Sequence, residues 1–194
     1  AVVACASDAA ARALALRWVD AHLPREAPAL VCCHATSITL AACGLATRER
    51  FTGFALLPPS EARTSVECAR PPWAGPSAAD AVARVWRALG LEPAWVGDRV
   101  GLVMPRIVAA LANEAAFAVM EGAASAEDVD RAMRLGTRYP RGPLAWADRI
   151  GLPAVVATLD ALAAESGPER YRAAPLLRRM AVADERWFPP QETA

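Results

Sequence analysis

Lysine is absent from the 194 residues: all 21 basic side chains are arginine, set against 21 acidic ones. Without it there is no amine for a Schiff base and none for a phosphate-binding P-loop. The formal net charge of zero leaves no basic footprint for nucleic acid. Histidine occurs twice, as His22 and His34, so imidazole acid–base chemistry has two candidates. No apolar run approaches the length of a membrane span, and no basic-then-apolar secretory leader is read at the start. The Gly-x-Gly-x-x-Gly turn, whose backbone amides hold a dinucleotide pyrophosphate, occurs nowhere. Cys5, Cys32, Cys33, Cys43 and Cys68 are odd in number, and no pair has C-x-x-C spacing. They read as buried, reduced thiols in a cytoplasmic protein.

What is present is apolar: 55% of the residues are hydrophobic, enough to fill one core or two small ones. The sequence opens at Ala1 inside an apolar run and without Met. We read this as a trimmed start, or as a strand whose upstream partner is missing.

Short strands are expected at Val2–Cys5, Ala29–Cys33, Phe51–Leu57, Thr64–Cys68 and Ala94–Val96. Between them, Asp8 is placed to cap a helix whose apolar face is Leu14, Leu16, Trp18, Val19 and Leu23. Ile38–Cys43 reads as a short helix, and Ser77 as the cap of another that ends at Gly90. This alternation predicts an α/β fold with a mostly parallel sheet. From Gly101 onward only helices are expected. They are Leu102–Glu121, one opened by Ser125 with Asp128 and stopped by Gly136, one starting at Pro143 and stopped by Gly151, then Pro153–Ser166 and Pro175–Val182. The division is expected near residue 98, giving segments 1–98 and 99–194.

The stretch from Gly101 to Leu152 carries the most information. Gly101, Arg106, Asn113-Glu114-Ala115, Glu121-Gly122, Ser125, Asp130, Gly136, Pro140, Gly142-Pro143, Asp148 and Gly151-Leu152 form a pattern that resembles the C-terminal helical domain of the L-3-hydroxyacyl-CoA dehydrogenases. The resemblance is strong after Gly101 and weaker before it. It implies a partial Rossmann-like parallel sheet followed by a 6-phosphogluconate-dehydrogenase-like helical domain, and a homodimer formed through the C-terminal helices. It also implies that Val2–Cys5 corresponds to the fourth strand of the family's sheet, so that the first half of the nucleotide-binding domain is missing from this divergent member.

The resemblance further implies where chemistry would lie. The family pairs a His with a Glu, the His taking the hydroxyl proton while hydride passes to NAD. The similar segment here is Gly53-Phe54-Ala55-Leu56-Leu57-Pro58-Pro59, with Ala55 in place of the His and Pro58 in place of an Asn. Pro105 replaces a second Asn. Glu67 matches the family's Glu, and Thr36, in His34-Ala35-Thr36-Ser37, matches its substrate-side hydroxyl. Glu67 reads either as a residual catalytic carboxylate or as a strand-end group bonded to Arg or backbone. His34 reads either as a relocated base or as a loop residue bonded to backbone. Cys32-Cys33-His34 reads either as a thiol or metal site or, because adjacent strand residues point to opposite faces, as core and strand-end groups. Arg138, Arg141 and Arg149 read either as contacts for a CoA phosphate or as a solvated charged face. The expectation is therefore a 3-hydroxyacyl-CoA dehydrogenase-family protein of acyl-CoA metabolism without dehydrogenase catalysis, acting as a binding or assembly subunit with acyl-CoA as its ligand. No cofactor site and no metal site is expected in this chain, and NAD only if the missing half is supplied. The alternative is an active NAD-dependent oxidoreductase completed by a missing segment, by a partner chain or by His34.

Overall fold

A computed structural model describes residues 1–5, 8–58 and 64–189. It divides into two compact units, Ala1–Pro105 and Arg106–Ala194.

In the first unit, β1 (Val2–Ala4), β2 (Ala29–Cys32), β3 (Phe51–Ala55), β4 (Ser65–Ala69) and β5 (Glu92–Val96) lie side by side in chain order. Three of the pairings are parallel; β3 and β4 run antiparallel. Helices α1 (Ala9–His22), α2 (Ile38–Ala42) and α3 (Pro76–Ala88) make the connections. Alternation along each strand sends side chains to both faces, and both faces are covered. Val31, Cys33, Phe51 and Ala55 pack with Leu16 and Val19 of α1 and with Ile38 and Ala42 of α2. Leu30, Phe54, Val66 and Cys68 pack with Val82 and Trp86 of α3 on the other side. Gly53 is needed where α2 meets β3, because a Cβ there would lie 2.9 Å from Cys33 Sγ and 3.2 Å from Ile38 Cβ.

Three local expectations are corrected. The buried stripe of α1 is Arg12, Leu16 and Val19, at i, i+4 and i+7. Leu14 and Trp18 fall on the opposite side and are 62% and 56% exposed; Trp18 stacks on His22 instead. The cap of α3 is Gly75, with Pro76 in the first turn, so Ser77 is already helical.

The second unit is helical: most of α4 (Met104–Met120), then α5 (Ala126–Thr137), α6 (Pro143–Ile150), α7 (Leu152–Ser166), α8 (Pro168–Tyr171) and α9 (Pro175–Val182). Ser125 caps α5 as expected, accepting from Asp128 N–H at 3.1 Å. The third correction lies at the other end of α5, which continues through Gly136. The residue in the left-handed conformation is Arg138, with φ 56°. Helix α7 packs on α6, α8 and α9, burying Leu152, Val155, Leu159 and Leu162 at helical spacing. Among the described residues no helix is long and apolar enough to cross a membrane.

The first unit runs through Pro105, and the turn before α4 is tied to the sheet. Gly101 N–H donates to Cys33 O at 3.1 Å. Leu102, at φ 43°, is 3% exposed and packs into the core shared with α1 and α2. That burial offsets the left-handed backbone, which is unfavourable for a leucine.

Candidate active site

The antiparallel β3/β4 pair sets Ala55 directly across from Glu67. Directly opposed residues in such a pair share one face, their Cβ atoms about 5 Å apart. The two positions singled out as the His–Glu pair are thus cross-strand neighbours, and the first holds a methyl group. Ala55 is 4% exposed and forms part of the apolar core. Pro58 lies past the end of β3, and Pro59 lies outside the described residues.

The carboxylate of Glu67 is engaged elsewhere. One oxygen accepts from Val103 N–H at 3.0 Å, and both accept from Met104 N–H at 3.0 and 3.1 Å. These are amides at the start of α4, which no intrahelical carbonyl can satisfy. A carboxylate there also meets the positive end of the helix dipole. Pro105 fits the same turn, where the amide it lacks would have had no helical partner. Replacing Glu67 with Ala is expected to lower the unfolding free energy by about 1–2 kcal/mol, the usual worth of an N-terminal cap. Chemical denaturation will read this, and Glu67→Gln, which keeps one acceptor, should lose less.

His34 lies just beyond β2, level with Leu56 if the Cys32–Phe54 register continues. Strand β3 stands between it and β4. Two strand spacings of roughly 4.8 Å therefore separate His34 from the line of Glu67, and among the described residues no hydrogen bond joins them. Burial lowers the His34 pKa from its ordinary 6.5, partly offset by a bond to the Leu56 backbone. Its Nε2 is buried without a hydrogen-bond partner. Thr36 is buried as well, and its hydroxyl donates to Ser37 O at 3.2 Å. The Ser37 side chain accepts from Leu40 N–H at 3.1 Å and caps α2.

Cys33 faces the α1/α2 core and Cys32 packs against the opposite one. Burial pushes the Cys32 thiol up to about 11 and raises Cys33 further, so both stay protonated at neutral pH. Among the described residues no three His, Cys, Asp or Glu side chains are grouped to hold a metal ion. His22 donates from Nδ1 to Trp18 O at 2.9 Å, a contact within its own helix.

Asp98 is a structural residue that the sequence pattern did not reveal. It accepts from Ile38 N–H at 2.8 Å and Thr39 N–H at 2.9 Å, closing the start of α2. Arg50 is another, donating to the carbonyls of Val19, Leu23 and Pro24 at the end of α1. Both act on helix ends far away in sequence, so no local signal marks them. Arg141 and Arg149 line one pocket of the helical unit; Arg138 is not among its lining residues.

Residues 101–186 match the family model of the 3-hydroxyacyl-CoA dehydrogenase C-terminal domain. The chain is 43% identical over 89 residues to the 3-hydroxyadipyl-CoA dehydrogenase of Escherichia coli K12, a match covering 46% of this chain and 19% of that protein. It is 39% identical over 106 residues to the 3-hydroxybutyryl-CoA dehydrogenase of Clostridioides difficile, covering 55% of this chain and 38% of the relative. The crystal structure of (S)-3-hydroxybutyryl-CoA dehydrogenase from Ralstonia eutropha superposes with a TM-score of 0.82 at 31% identity, over 94% of this chain and 65% of that one. These matches take in less than half the length of either curated relative. The helical pattern after Gly101, the sheet that precedes it and these similarities agree: the chain belongs to the 3-hydroxyacyl-CoA dehydrogenase family.

Proposed function

We propose that this chain is a family member of acyl-CoA metabolism that does not itself carry out dehydrogenase chemistry, and that it serves as a binding or assembly subunit. The observation that supports this most is the pairing of Ala55 with Glu67. Oxidation of a secondary alcohol by hydride transfer needs a group to take the hydroxyl proton. A buried methyl cannot do so, and the opposing carboxylate is committed to the amides of α4.

The helix starts after β1 and β2 do not fit an NAD pyrophosphate either. Such a group needs free amides at a helix start following a strand. After β1 that position is closed by Asp8, which accepts from Ala11 N–H at 2.7 Å, and after β2 by Asp98 and Ser37. A carboxylate at each start would repel a bound phosphate. Supplied with 3-hydroxybutyryl-CoA and NAD, the protein should reduce no nicotinamide above a heat-inactivated control. Turnover that disappears in His34→Ala would overturn the reading and favour the oxidoreductase alternative, in which the neutral His34 serves as base.

Homodimerisation through the C-terminal helices belongs to the same proposal. The family resemblance after Gly101 carries this part; Ile107, Leu135 and Val182 are apolar helix residues 46%, 76% and 85% exposed. Sedimentation at micromolar concentration should give twice the chain mass, and a single-chain mass would refute this part.

A further inference from the structure

A pocket in the helical unit brings together two of the arginines, Arg141 and Arg149, that the sequence offered either as contacts for a CoA phosphate or as a solvated charged face. It encloses about 260 Å³ between α6 and the segment after α9, and Arg141, Arg149, Arg186 and Phe188 line it. Three arginines thus line one cavity in a chain whose net charge is zero. Cationic clusters on a protein surface are usually interleaved with carboxylates. Here three arginines outnumber the lining's one carboxylate, that of Asp148. Its two oxygens accept from Trp187 N–H at 3.0 Å and Phe188 N–H at 2.9 Å. Its own backbone carbonyl accepts from Arg186 Nη2 at 3.2 Å. Among the described residues, no ion pair neutralises Arg141, Arg149 or Arg186.

The same wall continues into a wider groove of about 590 Å³ that shares Arg141, Phe188 and Pro189 and adds Arg134. The groove's Asp130 is committed as well, accepting from Leu144 N–H at 2.9 Å and Ala145 N–H at 2.8 Å. Glu127 also lines the groove but not the smaller pocket. The arrangement is therefore positive at the pocket, with an aromatic ring beside it and room for a larger body next door.

We propose that the Arg141–Arg149–Arg186 pocket is a binding site for a phosphate monoester. Guanidinium groups match phosphate in shape and charge, with paired N–H donors meeting two oxygens. Phe188 and the adjoining groove would take the group that carries the phosphate. Asp148 acts as a positioning residue: by holding the Trp187 and Phe188 amides and the Arg186 side chain, it places one wall of the site. The proposal is independent of whether the chain has dehydrogenase activity, since it involves neither Ala55 nor Glu67.

Calorimetry and thermal shift on the full chain test it, with inorganic phosphate, adenosine 3′,5′-bisphosphate and unphosphorylated adenosine as probes. Both phosphate probes should bind and adenosine should not, with affinity falling as salt rises. Arg149→Gln, an exposed substitution, should weaken binding about tenfold, as expected for the loss of one charge-assisted hydrogen bond, and leave the probe-free melting point unchanged. Arg141→Gln should do the same. Tighter binding of the bisphosphate than of phosphate would support an organic phosphate ester as the ligand class; equal binding would overturn the monoester assignment. Absence of binding at millimolar probe, or binding unchanged in both variants, would overturn the proposal.

Discussion

Gly142→Ala is expected to destabilise the helical unit by about 2–5 kcal/mol, through overpacking and the loss of two buried charge-assisted hydrogen bonds. Gly142 has φ −70°, which any residue adopts, so the need for glycine there is one of space. A Cβ on Gly142 would overlap the Asp130 side chain, against Cγ, Cβ and Oδ2. Asp130 cannot move aside cheaply, because its carboxylate accepts the Leu144 and Ala145 amides at the start of α6. Burial raises the Asp130 pKa, with the Leu144 and Ala145 bonds working against that rise. Either the bonds break or the Pro140–Pro143 turn shifts. A double-mutant cycle provides the check. An Asp130→Gly background removes the Cβ, Cγ and Oδ2 that the new Cβ would meet, so there Gly142→Ala should cost little further. If the two losses simply add, the overlap is not the cause.

The second large effect is expected at Asn113. This side chain is 3% exposed and bridges α4 to the chain entering α9. Its Nδ2 donates to Arg172 O at 3.0 Å, and its Oδ1 accepts from Ala174 N–H at 2.7 Å. Asn113→Asp keeps the shape and replaces the donor by a second carboxylate oxygen facing a carbonyl. At neutral pH this buries a charge beside an acceptor, and the loss should be about 3–5 kcal/mol. The sign of its pH dependence is specific. In the folded variant the carboxyl is held above its unfolded pKa, because only the protonated form restores the donor to Arg172 O. The missing stability should therefore return as the pH falls through that raised value toward the ordinary aspartate range. Asn113→Ala, which leaves both backbone groups unpaired, should lose about 2–4 kcal/mol with no such recovery. Urea unfolding of the two variants at neutral and mildly acid pH separates these outcomes.

Both effects arise from a repeated device. A short polar side chain closes the backbone of a segment distant in sequence: Asp98 for α2, Glu67 for α4, Asp130 for α6, Asp148 for the stretch after α9, and Asn113 for the approach to α9. Caps acting within one turn were readable from the sequence. Asp8 before α1 and Ser125 before α5 stand where their residue types and spacing placed them. The distant caps carried no such signal, since any Asp or Glu on a strand or helix could have served. Glu67 illustrates the difference. Resemblance named it as half of a catalytic pair, but its commitment to the amides of Val103 and Met104 depends on the course of the chain between β4 and α4. The misplaced apolar face of α1 has a simpler cause. Leu14 and Trp18 are apolar in type, but only one stripe of that helix meets the sheet.

By itself, the sequence determined the alternation of strands and helices, the helical character after Gly101, and the family. These depend on residue identity and on periodicity over a few residues, where the physics is local. Only the tertiary structure decided that Ala55 faces Glu67, that Glu67 caps α4, that His34 stands two strands away, and that Arg186 joins Arg141 and Arg149 around one pocket. Those meetings follow from strand register and chain path, which are set by packing the whole core at once.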